Sequence, residues 1–255
     1  MIGRMFWVGV NTAVEMYKDR SVTGFLAVGI VLIIGGFVVA DMSVVEKKKM
    51  FIDTGMAAIF MVSAFITMLA GSNVIDREVR NRQVLCTLSK PMPRYAWFIG
   101  KSAGFVFTLG VVIFVLTVFL FVFVRINTHF WMPAIFVGGL LIYLEMLIIS
   151  SYTLLFSTVT GQYLTLFLSM CVLIIGHMVA DLKIYWASGS AFARLISKAL
   201  FYILPNLESF LASPVVLGKI NIPPGLIGFM LLYTLGYLAA GVIIAAVIMN
   251  RRELV

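Results

Sequence analysis

The carboxyl group of Glu145 stands in the middle of a long apolar stretch, where an ionisable side chain is rare. The surrounding residues 133–156 contain no other charged side chain. Placing a carboxyl group at such a depth in hydrocarbon is costly, so by default it marks a substrate or ion pathway. A hydrogen bond to a neighbouring helix, serving packing alone, explains the residue equally well. Glu145 is therefore a candidate pathway residue with two open explanations.

His177 and Asp181 form a second pair of side chains that could bind a metal or take part in hydrogen bonding. They are four residues apart and so share one face if this stretch is helical. Two potential metal ligands without a third give only a weak indication of a metal site. A hydrogen bond near the membrane surface is the favoured explanation. The sequence also contains no nucleophile with a partner base at motif spacing, which disfavours a membrane enzyme. We expect no catalytic residue, metal or cofactor on this chain.

The densest group of charges lies in residues 75–102, which contain six Lys and Arg residues. Asp76 to Leu88 can form a short charged helix, and Pro91 and Pro93 would end it, because proline disfavours helix in the residue before it. A new helix can begin near Arg94 and run into the next apolar stretch. On charge alone, an ordinary positively charged loop is the better explanation of this region.

The elements that must position these residues follow from the composition. Hydrophobic residues make up 62% of the 255 residues and charged residues 12%, whereas soluble domains have about 25% charged residues. The apolar blocks are long enough to cross the bilayer, and in hydrocarbon they must be helices. We predict an all-α membrane protein of one domain, residues 1–255, with six transmembrane helices. The predicted spans are about 22–40, 55–74, 103–124, 133–156, 163–180 and 225–249.

Two further helical segments are predicted outside these spans. Phe6, Val10 and Tyr17 lie on one face of an N-terminal stretch with polar residues opposite, which predicts a helix lying in the membrane interface. Before the sixth span, residues 181–224 predict an external helical segment that ends at Pro205. This segment either closes the outer mouth of a pathway or serves only as an interfacial anchor.

The basic residues indicate an orientation. Six spans place both termini on one side, and with the N-terminus inside, eleven Lys and Arg residues face the cytoplasm against eight outside. The run Lys47–Lys49 counts against this arrangement. We expect both termini in the cytoplasm. The net charge of +8 is explained by contact with anionic lipids, and no nucleic-acid partner is expected.

The order of these features resembles that of the permease subunits of type-2 ABC transporters. In that family the second span is followed by a pattern close to Glu-Arg-Glu, two leucines, Ser-x-Pro, Arg and Gly-Lys. The matching positions here are Glu78, Leu85, Leu88, Ser89, Pro91, Arg94, Gly100 and Lys101. Asp76 departs from the usual glutamate. The charged segments Glu15–Arg20 and Asn250–Leu254, and the segment Leu204–Phe210 before the last span, extend the similarity over most of the chain.

The resemblance implies that the chain is the transmembrane half of an ATP-driven exporter in the bacterial inner membrane. A separate ATPase subunit would bind ATP and Mg, and a second copy of the chain or a related permease would complete the transporter. The residues implied to contact the ATPase are Asp76, Arg77, Glu78, Arg80, Arg82, Leu85, Leu88, Pro91 and Arg94. Gly100-Lys101-Ser102 imitates the end of a phosphate-binding loop, but Tyr95 occupies the position of its first glycine.

An ion-coupled carrier or channel without an ATPase is the alternative. Such proteins often contain inverted repeats or several ionisable residues within their spans. No repeat is recognisable in this sequence, and Glu145 is the one charged residue within the predicted spans. These observations favour the ATP-driven exporter.

The two native cysteines test the predicted orientation. Cys86 should react with a membrane-impermeant thiol reagent only after the inner membrane is opened, because its loop is predicted to be cytoplasmic. Cys171 lies in an apolar span and should stay protected in both conditions. Labelling of Cys86 in intact spheroplasts would reverse the predicted topology.

Overall fold

All regular elements in the described part of the chain are helical. The computed structural model describes residues 2–41, 47–80, 93–128, 131–187, 204–218 and 224–251. Its α-helices are α1 (Ile2–Lys18), α2 (Arg20–Asp41), α3 (Lys47–Arg80), α4 (Arg94–Thr128), α5 (Ala134–Val159), α6 (Gln162–Ala187), α7 (Ala212–Val216) and α8 (Pro224–Arg251). A 3-10 turn, Glu208–Phe210, precedes α7.

Six of these helices are long and apolar enough to cross a membrane, which confirms the predicted number of spans. They are α2, α3, α4, α5, α6 and α8. The helices exceed the predicted spans at several ends, because a helix continues into polar sequence until a breaker stops it. At the start of α4, for example, Pro93 precedes the first helical residue, Arg94, as the sequence predicted.

The second span does not end where a separate charged helix was expected to begin. Residues Asp76–Arg80 continue α3 without interruption. No proline or glycine stands between Ser72 and Arg80, and extending an existing helix is easier than nucleating a new one. Residues 81–92, which include Arg82, Leu85, Leu88 and Pro91 of the predicted ATPase contact, lie outside the described residues.

Neighbouring long helices pack in opposite directions. Gly29 of α2 lies against Val62 of α3, and Gly36 lies against Thr54, which precedes Val62 in the chain. In the same way, Gly110 and Thr117 of α4 lie against Tyr143 and Gly139 of α5, again in reversed order. This arrangement is what successive membrane crossings require. The side of the membrane on which each end lies stays a prediction.

Helix α5 is the central element of the bundle. It contacts α3, α4, α6, α7 and α8, and every residue from Leu144 to Ser151 is buried. Its neighbours enclose it on most sides, so polar side chains on this helix are buried together with apolar ones. The burial of Glu145 follows from this position.

Helix α1 packs closely along the first half of α4. Gly9, Thr12 and Met16 of α1 are buried there, whereas the face predicted to be apolar lines an open groove of about 890 Å³ between the two helices. A side chain on Gly104 of α4 would collide with the carbonyl group of Gly9 and lie 2.9 Å from Thr12 Cβ. The small residues therefore permit the close contact of the two backbones.

Gly104→Leu should destabilise the protein by about 1–3 kcal/mol, because the added side chain forces α1 away from α4. The matched control is Gly24→Leu in α2, since an added Cβ there has no atom within 4 Å. Thermal unfolding of both variants in the same detergent measures the difference. Equal midpoints for the two variants would show that the α1–α4 contact contributes no stability.

Candidate functional site

The one acidic residue within the six predicted spans lies beside the one histidine within them. Glu145 Oε1 of α5 is 3.3 Å from His177 Nε2 of α6. The Glu145 side chain is 3% exposed and that of His177 is 28% exposed. No other Asp, Glu, Lys, Arg or His residue occurs within those spans. The bundle thus brings together the two residues whose placement in hydrocarbon costs most.

The His177 ring is oriented by its own helix and by α3. Its Nδ1 atom is 3.1 Å from the carbonyl oxygen of Leu173, one turn earlier in α6. A carbonyl oxygen only accepts, so Nδ1 carries the hydrogen of this bond. The ring of Phe60 packs edge-on against the imidazole, with 5.6 Å between the ring centroids. These two contacts direct Nε2 towards α5.

The sequence did not predict this partnership. It placed His177 on one helix face with Asp181, whose side chain lies outside the described residues. Helix periodicity relates residues within one helix, whereas the Glu145–His177 contact joins two helices and depends on their relative rotation. The useful sequence signal was that each residue is alone of its kind within the spans.

Residues 204–218 form a capping segment at the end of the bundle where α6 and α8 are connected. The backbone N–H of Leu207 donates to the carbonyl oxygen of Gly176, at 3.1 Å. The Leu207 side chain is fully buried, and a Cβ on Gly176 would lie 2.7 Å from it. Because Gly176 precedes His177, this contact anchors the capping segment next to the Glu145–His177 pair.

The capping segment also contacts α3, α5 and α8. The Ser213 hydroxyl donates to the Asp53 carboxylate of α3, and Val216 packs where α5 has Gly138. The backbone N–H of Asn206 donates to the Tyr233 hydroxyl of α8, at 3.1 Å. The described part of the predicted external segment is therefore packed onto four helices. The helix predicted to end at Pro205 lies outside the described residues.

Several buried polar atoms at this end have no hydrogen-bond partner among the described residues. They are Oδ1 of Asn206, Oε2 of Glu208 and Oγ1 of Thr234. Buried polar atoms of this kind are uncommon in folded proteins and call for an explanation. They give the region around the capping segment a polar character that the apolar spans lack. The stretch from Leu204 to Phe210 belongs to the family resemblance of the sequence, but no role for the Asn206 and Glu208 side chains follows from it.

The described residues of the predicted ATPase contact lie at the other end of the bundle. Asp76, Arg77, Glu78 and Arg80 are in the last turns of α3, and Arg94 begins α4. Arg82, Leu85, Leu88 and Pro91 lie outside the described residues. Among the neighbouring residues of the family pattern, Lys101 is buried and its Nζ atom lies 5.3 Å from the centre of the Trp97 ring. Gly100 permits the contact with α1, since a Cβ there would lie 2.8 Å from the Met5 carbonyl oxygen.

A double-mutant cycle measures the coupling between the two members of the intramembrane pair. Glu145→Gln and His177→Gln each replace an ionisable side chain by a neutral polar one. Their effects on the free energy of unfolding should deviate from additivity by about 1 kcal/mol or more. The matched cycle uses Asn11→Ala and Glu15→Gln, an exposed hydrogen-bonded pair in α1, with an expected coupling below about 0.5 kcal/mol. Additive effects of the intramembrane substitutions would contradict the observed contact.

Comparison with models of protein families gives no match for this chain, and comparison with curated proteins gives none either. The site consists of the Glu145–His177 pair, the capping segment anchored beside it, and the charged ends of α3 and α4 at the opposite end of the bundle.

Proposed function

We propose that the chain is the transmembrane permease subunit of an ATP-driven exporter of the type-2 ABC family. In this proposal a separate ATPase subunit binds ATP and Mg, and a second copy of the chain, or a related permease, completes the pathway in the bacterial inner membrane. The sequence pattern from Glu78 to Lys101 supports the family. The main structural support for the proposal is the extension of α3 and α4 beyond the apolar part of the bundle.

Both helices are longer than a bilayer requires. Helix α3 has 34 residues and α4 has 35, which gives each a length of about 50 Å at about 1.5 Å per residue. The hydrocarbon core is about 30 Å thick. In α3 the uncharged stretch runs from Thr54 to Ile75, and in α4 it runs from Ser102 to Val124. The charged residues Asp76–Arg80 and Arg94 therefore lie on helical extensions at the same end of the bundle.

These extensions connect directly to the centre of the bundle. Gly71 of α3 lies against Thr153 of α5 and Phe105 of α4, so the three helices meet at one point. Helices transmit a displacement along their axes because their backbone hydrogen bonds resist stretching. A force applied to the charged ends of α3 and α4 would thus reach α5, the helix that carries Glu145. This is the mechanical connection that a permease without a nucleotide site needs.

The intramembrane pair gives the alternative function one specific argument. Ion-coupled carriers place ionisable side chains inside the bundle, and Glu145 with His177 has this arrangement. A carrier driven by ions alone, however, has no need for the helical extensions or for the pattern of charges upon them. The two functions differ in their energy source, which an experiment can identify.

Charge reversal at Glu78, in the last turns of α3, and at Arg82 tests the proposed function. The double variant Glu78→Arg with Arg82→Glu keeps the net charge but reverses the proposed contact. We expect the wild-type chain, purified in mild detergent from its native membrane, to retain an ABC ATPase and its ATP hydrolysis. Reversal of both charges should weaken that retention about tenfold or more, the equivalent of about 1.4 kcal/mol.

The matched control is Glu15→Lys with Lys18→Glu, which reverses two exposed charges on α1. This control should retain the ATPase as the wild type does. Equal retention of the ATPase by the Glu78/Arg82 variant and by the control would contradict the assignment of these residues to the ATPase contact. An isolated wild-type chain that transports ions without any ATPase would contradict the exporter itself.

A further inference from the structure

The Glu145–His177 pair lies in surroundings with few other ionisable groups. In α3 no charged residue stands between Asp53 and Asp76, and in α4 none stands between Lys101 and Arg125. Phe60 of α3 is the aromatic neighbour of His177. Apart from the charged ends of α3 and α4, the remaining titratable groups with described side chains on the elements packed against α5 and α6 are Tyr95, Tyr143, Tyr152, Tyr163, Cys171, Glu208, Tyr233 and Tyr237. Among the described side chains, His177 is thus the titratable group in contact with Glu145, with 3.3 Å between Nε2 and Oε1.

The contacts of the pair determine where its hydrogens lie. Nδ1 of His177 donates to the Leu173 carbonyl oxygen, so Nε2 of a neutral ring carries a lone pair and accepts. None of the described residues donates a hydrogen bond to Glu145 Oε1, although this atom is buried and 3.3 Å from Nε2. Both atoms are satisfied if Oε1 carries a hydrogen and donates it to Nε2. This neutral arrangement also avoids the desolvation of two separate charges.

We propose that Glu145 and His177 together form a proton-binding site that exchanges its proton with water when the α5–α6 contact opens. Opening breaks the carboxyl O–H bond, the proton passes to water, and the carboxylate is then solvated. In the closed bundle the same loss leaves an uncompensated buried charge, so the proton is retained. The inference goes beyond the proposed exporter, because the purified chain without any ATPase is sufficient to test it.

The capping segment controls the opening. Leu207 packs on Gly176 and bonds to its carbonyl oxygen, one residue from His177. Removal of this side chain leaves the end of α6 less tightly held, which increases the population of the open state. The exchange rate of the proton therefore reports on the packing of residues 204–218.

Infrared spectroscopy of the purified full chain in detergent tests the site. At about pH 7 exposed carboxyl groups are ionised, so absorption from a protonated carboxyl group comes from a shielded residue. We expect such a band in the wild type, its loss in Glu145→Gln, and its retention in Glu15→Gln, which removes an exposed carboxyl group on α1. In His177→Gln the band should shift in frequency, because the hydrogen-bond acceptor changes.

Exchange into heavy water tests the opening. Leu207→Ala should accelerate the isotopic shift of the band about tenfold or more, because a buried packing contact is lost. Leu211→Ala, in the same segment but exposed, should leave the rate unchanged. Absence of a band that depends on Glu145, or a band unaltered in His177→Gln, would overturn the proton site. Equal exchange rates in the two leucine variants would overturn its control by the capping segment.

Discussion

Hydrocarbon cannot hydrogen-bond to a peptide group, and this constraint governs the organisation of the chain. Every long apolar stretch is helical, so its backbone groups are paired within the helix. Most of the buried hydroxyl groups follow the same rule, and the Thr234 hydroxyl is an exception among the described residues. Ser150, Ser151 and Thr153 of α5 each donate to a carbonyl oxygen of the preceding turn of their own helix. Most polar groups within the spans are therefore satisfied locally.

Because most polar groups are hydrogen-bonded within their own helix, van der Waals packing is the main attraction between helices. Small residues provide the close approaches, as where Gly104 faces Gly9 and where Gly139 faces Thr117. Against this background, a polar contact between two different helices is a specific feature. Glu145 with His177 joins α5 to α6 in the interior, and Ser213 with Asp53 joins the capping segment to α3. These contacts select one arrangement of helices that packing alone would specify less strictly.

The two ends of the bundle have different characters. At one end α3 and α4 continue beyond their apolar stretches and carry charged residues. At the other end the capping segment is packed on α3, α5, α6 and α8 and holds buried polar atoms. Helix α5 contacts the capping segment at Gly138 and contacts α3 at Thr153, and it carries Glu145 between these two positions. In the proposed exporter, this helix connects the site of energy input with the intramembrane pair.

Hydropathy and helix breakers by themselves determined the all-helical class, the six spans and the start of α4 at Arg94, because the length of an apolar stretch and the position of a proline are local properties. The same local reasoning placed a helix boundary at Asp76, where the structure has none, since continuation of α3 is easier than a new start. The partnership of Glu145 with His177, the anchoring of Leu207 on Gly176 and the docking of α1 on α4 were decided by the tertiary structure. Each depends on how one helix is rotated against another, and that rotation follows from the packing of all the helices together.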